Sequence, residues 1–214
     1  MINWAKNNKV LHIKMTLLED MLGGRPGRDD ILENYVASKA PNAKTMKEEL
    51  EDRSMEEIIQ DRITGFERLN GYPYIYDYHI KGFLKEAWKV CKGISESACS
   101  KKKAYKSFID NQIFIKERRL FFYDSNGMKV KEDQLKTCQR PLRAETMQGP
   151  RVSIAKSEAI PAGSYLSFDI EVMDPSLVEC VKECFSYSEY KALGQWRSSG
   201  KGRCLTEITE VKAS

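Results

Sequence analysis

The chain has 214 residues, 41% hydrophobic and 31% charged. That is enough apolar content for one packed domain and too much for a disordered chain. No apolar run approaches the ~20 residues of a membrane helix, and the opening MINWAKNNKV lacks the apolar stretch of an export signal, so a cytoplasmic protein with no membrane partner is expected. The 35 Lys and Arg residues exceed the 31 Asp and Glu by a formal +4, too little to diagnose a nucleic-acid binder, so the placement of charge must decide.

Residues 9–18, KVLHIKMTLL, alternate: Leu11, Ile13, Met15 and Leu17 on one face, Val10, His12, Lys14 and Thr16 on the other. This predicts a strand with one buried side. It runs into Gly23-Gly24-Arg25-Pro26-Gly27-Arg28, a glycine-rich loop with two arginines. Asp29 can cap a helix carrying Ile31, Leu32, Tyr35 and Val36 on one face, which Pro41 ends. Residues 44–62 are charge-rich with a thin apolar stripe, which suits a surface helix or a mobile segment. Phe66 to Tyr76 predicts a hairpin turning at Asn70-Gly71, with Pro73 restricting its second arm to an edge. From Tyr78 onward, Ile80, Phe83, Leu84, Ala87, Trp88 and Cys91 keep a helical period. A second helix is expected at about 101–109.

The second half predicts strands. Ile113–Ile115, Leu120–Tyr123 and Met128–Val130 are short and flank a turn at Asn126-Gly127. Arg151–Ala155 precedes a tight turn at Ile160-Pro161-Ala162-Gly163. Tyr165–Val172 alternates, with Leu166, Phe168, Ile170 and Val172 inward. An amphipathic helix follows over 177–187, then a polar loop from Gly194 to Gly202 and a last strand at Cys204–Val211. The expected fold class is α+β: an antiparallel, ferredoxin-like or RRM-like sheet covered by helices on one face. Residues 1–214 form one domain, with 40–135 a helical and hairpin insertion.

Six cysteines occur without a C-x-x-C pair. In a chain of this length without an export signal, they predict free thiols. Cys180 and Cys184 share a helix face, where structural burial is expected ahead of a metal site. His12 falls on a polar strand face and His79 opens a helix; neither stands in a nucleophile–base motif. There is no P-loop and no dinucleotide fingerprint, so no cofactor is expected.

The segment LGQWRSSGKGR, Leu193–Arg203, is more informative. Gly194 to Arg203 holds three cations and no acid. Gly200 and Gly202 can let backbone approach a phosphate closely. Arg197, Lys201 and Arg203 can neutralise it, and Trp196 offers a stacking surface. A second basic cluster at 136–156 includes Arg140, Arg143 and Arg151.

The loop LGQWRSSGKGR, leading into a strand, resembles the C-terminal glycine-rich loop of the RAMP superfamily, the ferredoxin-like RNA-binding proteins of CRISPR effectors. LHIKMTLLEDMLGGRPG resembles that family's opening strand and small-residue turn. AIPAGSYLSFDIEVM resembles a strand of its backbone subunits. The three pieces cover about a fifth of the chain, in the family's order. The resemblance implies a non-catalytic RNA binder, with a single-stranded, guide-like RNA and the protein subunits of a CRISPR-type complex, or further copies of itself, as partners. The implied contact set is Lys14, Arg25, Arg28, Arg140, Arg143, Arg151, Trp196, Arg197, Gly200, Lys201, Gly202 and Arg203. The alternative is an anti-defence protein of a phage or mobile element, imitating or displacing a subunit, with the acidic segment Glu48–Asp61 and the tyrosines Tyr72, Tyr74, Tyr76 and Tyr78 suited to protein contacts. A metal-independent ribonuclease using His12 or His79 ranks third.

Overall fold

The computed structural model describes residues 8–26, 63–146 and 149–211; the helix expected between Asp29 and Pro41, the charge-rich segment 44–62 with its acidic stretch Glu48–Asp61, and Arg28 lie outside them. Strand β1 (Lys9–Leu17) buries every second residue, from Leu11 to Leu17. Short strands β2 (Met21–Leu22) and β3 (Arg25–Pro26) follow. After β4 (Ile63–Gly65), the hairpin β5 (Glu67–Leu69) and β6 (Tyr72–Tyr76) turns at Asn70 and Gly71. Both turn residues have positive φ, 53° and 78°, as a primed two-residue turn requires.

Helix α1 (Asp77–Cys91) buries Ile80, Phe83, Leu84, Ala87, Trp88 and Cys91, the six residues that the period picks out. The second helix sits further on than expected. Lys101 closes a 3₁₀ turn (Ala98–Lys101), and α2 runs Tyr105–Gln112. Ser97 caps that turn by accepting from the Cys99 N–H, and Lys102, with φ −98° and ψ 86°, leaves helical backbone and ends it. Strands β7 (Ile113–Ile115) and β8 (Arg119–Tyr123) follow. Met128–Val130 contributes one bridge, Lys129 to Tyr123, rather than a strand. The longest strands are β9 (Lys136–Thr146) and β10 (Gly149–Ile160), a hairpin whose length is invisible in the hydropathy pattern. Strand β11 (Tyr165–Val172), helix α3 (Val178–Ser186) and strand β12 (Cys204–Val211) complete the chain.

Two sheets result. The main one runs β12-β1-β11-β8-β6-β5, with β7 also on β11. Strands β1 and β11 are central and pair in full antiparallel register from Lys9 opposite Val172 to Thr16 opposite Tyr165. The order β12-β1-β11-β8, with α1 between β1 and β8 and α3 between β11 and β12, is the split β-α-β arrangement of a ferredoxin-like fold. So α1 and β8, both inside 40–135, supply the main sheet and its cover. In the second sheet β10 pairs β9 on one edge and β2 and β4 on the other. Pro141 lies on β9, which among the described strands pairs β10 alone, the edge position where proline is tolerated in a sheet.

Both α1 and α3 lie on one face of the main sheet. Phe185 of α3 meets Phe83 of α1 at 5.8 Å between ring centres and Phe168 of β11 at 6.4 Å. The core includes Trp88, Phe122, Phe168 and Phe185, all nearly inaccessible to solvent. Four cysteines, Cys91, Cys99, Cys180 and Cys184, join it between α1 and α3 as free thiols. Among the described residues, no group of three or more His, Cys, Asp or Glu is arranged to hold a metal, and no helix is long and apolar enough to cross a membrane. The opposite face of the main sheet carries no helix from the described residues.

Candidate nucleic-acid interface

The Gly194–Gly202 loop lies where the two sheets meet. The Gln195 N–H donates to the Leu22 carbonyl at 3.1 Å, and the Leu18 N–H to the Arg203 carbonyl at 2.8 Å. The loop is therefore anchored to the exit of β1. Gly202 (φ +70°) packs so closely on Leu193 that a Cβ would collide with the Leu193 carbonyl, and its N–H donates to the Asp20 carbonyl. Gly200 (φ +81°) has space: a Cβ there would meet nothing closer than the Arg203 side chain at 3.5 Å, and its N–H donates to the Arg197 carbonyl. Both glycine N–H groups are thus engaged, that of Gly200 within the loop and that of Gly202 on the turn after β1. What the glycines secure is first of all the loop's own path.

The loop's cations have partners. Arg197 pairs with Glu86 of α1, which also holds Lys191 at 2.6 Å. Burial pushes the Glu86 pKa up, but hydrogen bonds from Lys191 and Arg197 outweigh it and hold the carboxyl below its ordinary value. Glu19 takes Lys201 at 3.3 Å and Arg203 at 3.9 Å. None of these acids is near the loop in sequence.

Trp196 breaks a local rule. It is a non-glycine residue in the left-handed region, with φ 54°, a conformation that costs free energy and persists only where the surroundings impose it. Its ring is 38% exposed. The Arg140 guanidinium of β9 lies over that ring at 5.3 Å, and its Nη2 donates to the Gln195 side chain at 3.3 Å. Two segments more than fifty residues apart therefore meet, the basic hairpin and the glycine loop. Arg143 and Arg151 belong to the same hairpin, where Val152 is the partner of Arg143 and Ala144 of Arg151.

Beside this junction is a cleft of about 310 Å³ lined by Gly24, Arg25, Tyr74, Tyr78, Gly194 and Gln195. Arg25 reaches Glu67 at 3.0 Å. A second cleft of about 310 Å³ shares Tyr78, His79 and Gly194 and ends at Glu86 and Arg197. Lys14 is elsewhere, on the open sheet face, 3.8 Å from Glu207 and 5.1 Å from the Tyr165 ring centre. Of the predicted set, the structure gathers Arg25, Arg140, Trp196, Arg197, Gly200, Lys201, Gly202 and Arg203 around one junction and leaves Lys14 apart.

The histidines differ from each other. The His79 ring lies 4.4 Å from that of Tyr78, and burial lowers its pKa. His12 Nδ1 is 2.8 Å from Asp169 and its Nε2 3.1 Å from Ser167 Oγ. This has the order of a Ser-His-Asp triad, assembled by the register of β1 on β11. The Asp169 N–H donates to the Glu117 carboxylate at 3.1 Å, so an acid rather than a free donor stands beside the cluster, the opposite of an oxyanion site. It is a cross-strand polar cluster. The sequence hid it because His12, Ser167 and Asp169 meet only through register.

Comparison with known proteins now adds a fold. No protein-family model matches the chain, and no curated protein matches it. Among solved structures, a chain of "Cryo-EM structure of the Type III-B Cmr-beta bound to cognate target RNA" is similar, with a TM-score of 0.59 at 12% sequence identity. The match covers 99% of this chain and 63% of that one. The two share a fold. The chain thus spans under two thirds of that neighbour's length, and the agreement bears on architecture, as the RAMP resemblance implied.

Proposed function

We propose that the chain is a non-catalytic, RAMP-type RNA-binding protein that holds the backbone of a single-stranded, guide-like RNA at the junction of the Gly194–Arg203 loop with the β9–β10 hairpin. Protein subunits of a CRISPR-type complex, or further copies of the chain, are its partners. The observation that carries this reading is Arg140 over Trp196. It joins a cation, a ring and a glycine turn beside a cleft, the combination that backbone neutralisation and base stacking use. Arg25, Arg143, Arg151, Arg197, Lys201 and Arg203 supply further charge. The ion pairs to Glu19 and Glu86 would be exchanged for phosphates, so binding should be salt-dependent. The similar chain comes from a structure described as bound to target RNA, which agrees with this reading.

The test is a titration of the full chain against a labelled single-stranded RNA at several salt concentrations. Arg140→Glu should weaken binding across sequences, and Trp196→Ala should remove ~1–3 kcal/mol through lost stacking. Wild-type affinity in both folded variants overturns the site. A chain that binds no RNA but captures a subunit of a defence complex would favour the displacing alternative.

A further inference from the structure

The face of the main sheet opposite α1 and α3 carries a second constellation that the glycine loop does not use. Register puts Tyr165 opposite Tyr123, Phe121 opposite Tyr74, and Arg119 opposite Tyr76. Their neighbours Leu166, Phe122 and Leu120 are buried in the core, so these side chains point the other way. Tyr123 and Tyr165 stack at 5.5 Å with their planes 23° apart. Tyr76 stacks on Tyr78 at 5.4 Å and 22°. Tyr74 is packed between Phe121 and Tyr76, and its OH donates to the Tyr76 oxygen at 3.1 Å.

Cations stand over the rings on this half of the face. Lys129 Nζ is 4.0 Å from the Phe121 ring centre, Arg119 is 5.6 Å from that of Tyr74, and Arg118 is 5.1 Å from that of Tyr76. Arg118 is paired with Asp77. Among the described residues, neither Arg119 nor Lys129 has a carboxylate in ion-pair reach. The other half of the face is internally compensated, with His12 on Asp169 and Lys14 near Glu207. The face is therefore polarised, with rings and unpaired cations over β8 and β6, and acids set beside His12 and Lys14 over β1 and β12.

We propose that this half of the open sheet is a base-stacking platform for single-stranded RNA, with bases on Tyr76, Phe121, Tyr123 and Tyr165 and phosphates at Arg119 and Lys129. The proposal rests on the RNA-binding reading above and adds a second surface to it. Four-stranded sheets with exposed aromatic side chains stack two or three bases in this way. Strands β11, β8 and β6, about 4.8 Å apart, give rings over a span of about 10 Å, room for that number. Charge complementarity selects the occupant, because uncompensated cations beside rings suit a polyanion with aromatic bases. Continuity supports it too: Tyr74 and Tyr78 line the cleft that Gly194 and Gln195 close from the other side. One strand can pass from the glycine loop onto the sheet.

The test uses the full chain and a labelled 12-nucleotide oligouridine, read by affinity and by ultraviolet crosslinking with peptide mapping. Tyr123→Leu with Tyr165→Leu should lower affinity about five- to 150-fold per ring, and wild-type crosslinks should fall on peptides containing Phe121, Tyr123 or Tyr165. Arg119→Gln with Lys129→Gln changes only exposed side chains, so it keeps the test open if the leucine variant does not fold. It should reduce the salt slope by about 0.7 for each lost phosphate contact. Wild-type affinity in a folded leucine variant or in the Gln variant, with crosslinks confined to Gly194–Arg203 peptides, overturns the platform and leaves the RNA-binding reading standing. RNA binding intact in the variants, with a co-purified protein lost, makes the face a protein-docking surface and overturns the platform. Absence of binding by the wild type overturns both.

Discussion

The glycine loop and the open sheet face are opposite cases of how sequence becomes surface. The loop carries three cations and no acid of its own, yet Glu19 and Glu86 reach in from distant elements and compensate its cations. The sheet face has no basic run at all. Its rings and cations come from β6, β8, β11 and the Lys129 turn, and antiparallel register assembles them. Local charge density thus overstates the first surface, and local composition conceals the second. If both bind RNA, the loop should act by exchanging ion pairs and the sheet by stacking, and the two should respond differently to salt and to ring removal.

The largest perturbation should abolish the difference by removing both surfaces together. Phe168 lies under the sheet, 1% exposed and against Phe185. Phe168→Ala should cost ~3–5 kcal/mol in chemical denaturation, through lost burial and the cavity left behind. A cost under about 1 kcal/mol would mean that the core is not packed as described.

A smaller change separates path from contact within the loop. Gly202→Ala drives a Cβ into the Leu193 carbonyl, whereas Gly200→Ala meets only the end of a flexible arginine. Gly200→Ala should cost about 1–2 kcal/mol, the strain of left-handed backbone alone, and Gly202→Ala clearly more. Equal costs, measured by thermal unfolding, would show that the close approach at Gly202 is not what holds the loop.

These sites also mark how far the sequence can be read. Alternation gives β1 and β11 to within a residue, and the helical period gives the buried face of α1, because each signal reports one element against one core. The β9–β10 hairpin escapes, since Arg140, Lys136 and Lys156 sit among its strand residues and no alternation survives. Its register depends on pairing across a turn. Arg140, Trp196 and the loop are legible as candidates, but their meeting is not, because it needs the second sheet. Tyr72, Tyr74, Tyr76 and Tyr78 stand out in the sequence as a protein-contact cluster, while Phe121, the cross-strand partner of Tyr74, and the Tyr123–Tyr165 pair stand there only as strand residues. The partners of Arg197 and Lys201 cannot be found from spacing, since Glu86 and Glu19 lie more than a hundred residues away.

Buried thiols give a pH-dependent effect. Burial pushes the Cys204 and Cys180 thiols up to about 12, against an ordinary value of 9.0. Above pH 9 the unfolded chain releases protons that the folded chain keeps, so stability is complete below that pH and falls as pH rises. The Cys204 thiol contributes about 1.4 kcal/mol per pH unit over that window, and Cys180 acts in the same direction. Cys91 slopes the other way between pH 7 and 9, because hydrogen bonding with Cys184 outweighs burial and draws it down to about 7. Cys204→Ala should flatten the alkaline decline relative to wild type in denaturation series at pH 8 to 10. An identical decline would mean that this thiol titrates freely in the fold.

The smallest expected effect is the most discriminating. Glu86 holds Arg197 and Lys191 at the rim of the second cleft. If the loop grips phosphate, Glu86 competes with RNA for Arg197. Glu86→Gln should then tighten binding at low salt and steepen the salt slope by about 0.7 per added phosphate contact. The same change should leave crosslinks to the sheet face where they are, because no platform cation pairs with Glu86. Weaker binding, in step with Arg197→Glu, would show that the ion pair shapes the loop and that Arg197 acts by positioning it. Unchanged binding would take the loop's rim out of the RNA path and leave the Arg140–Trp196 contact and the aromatic sheet to carry the interaction.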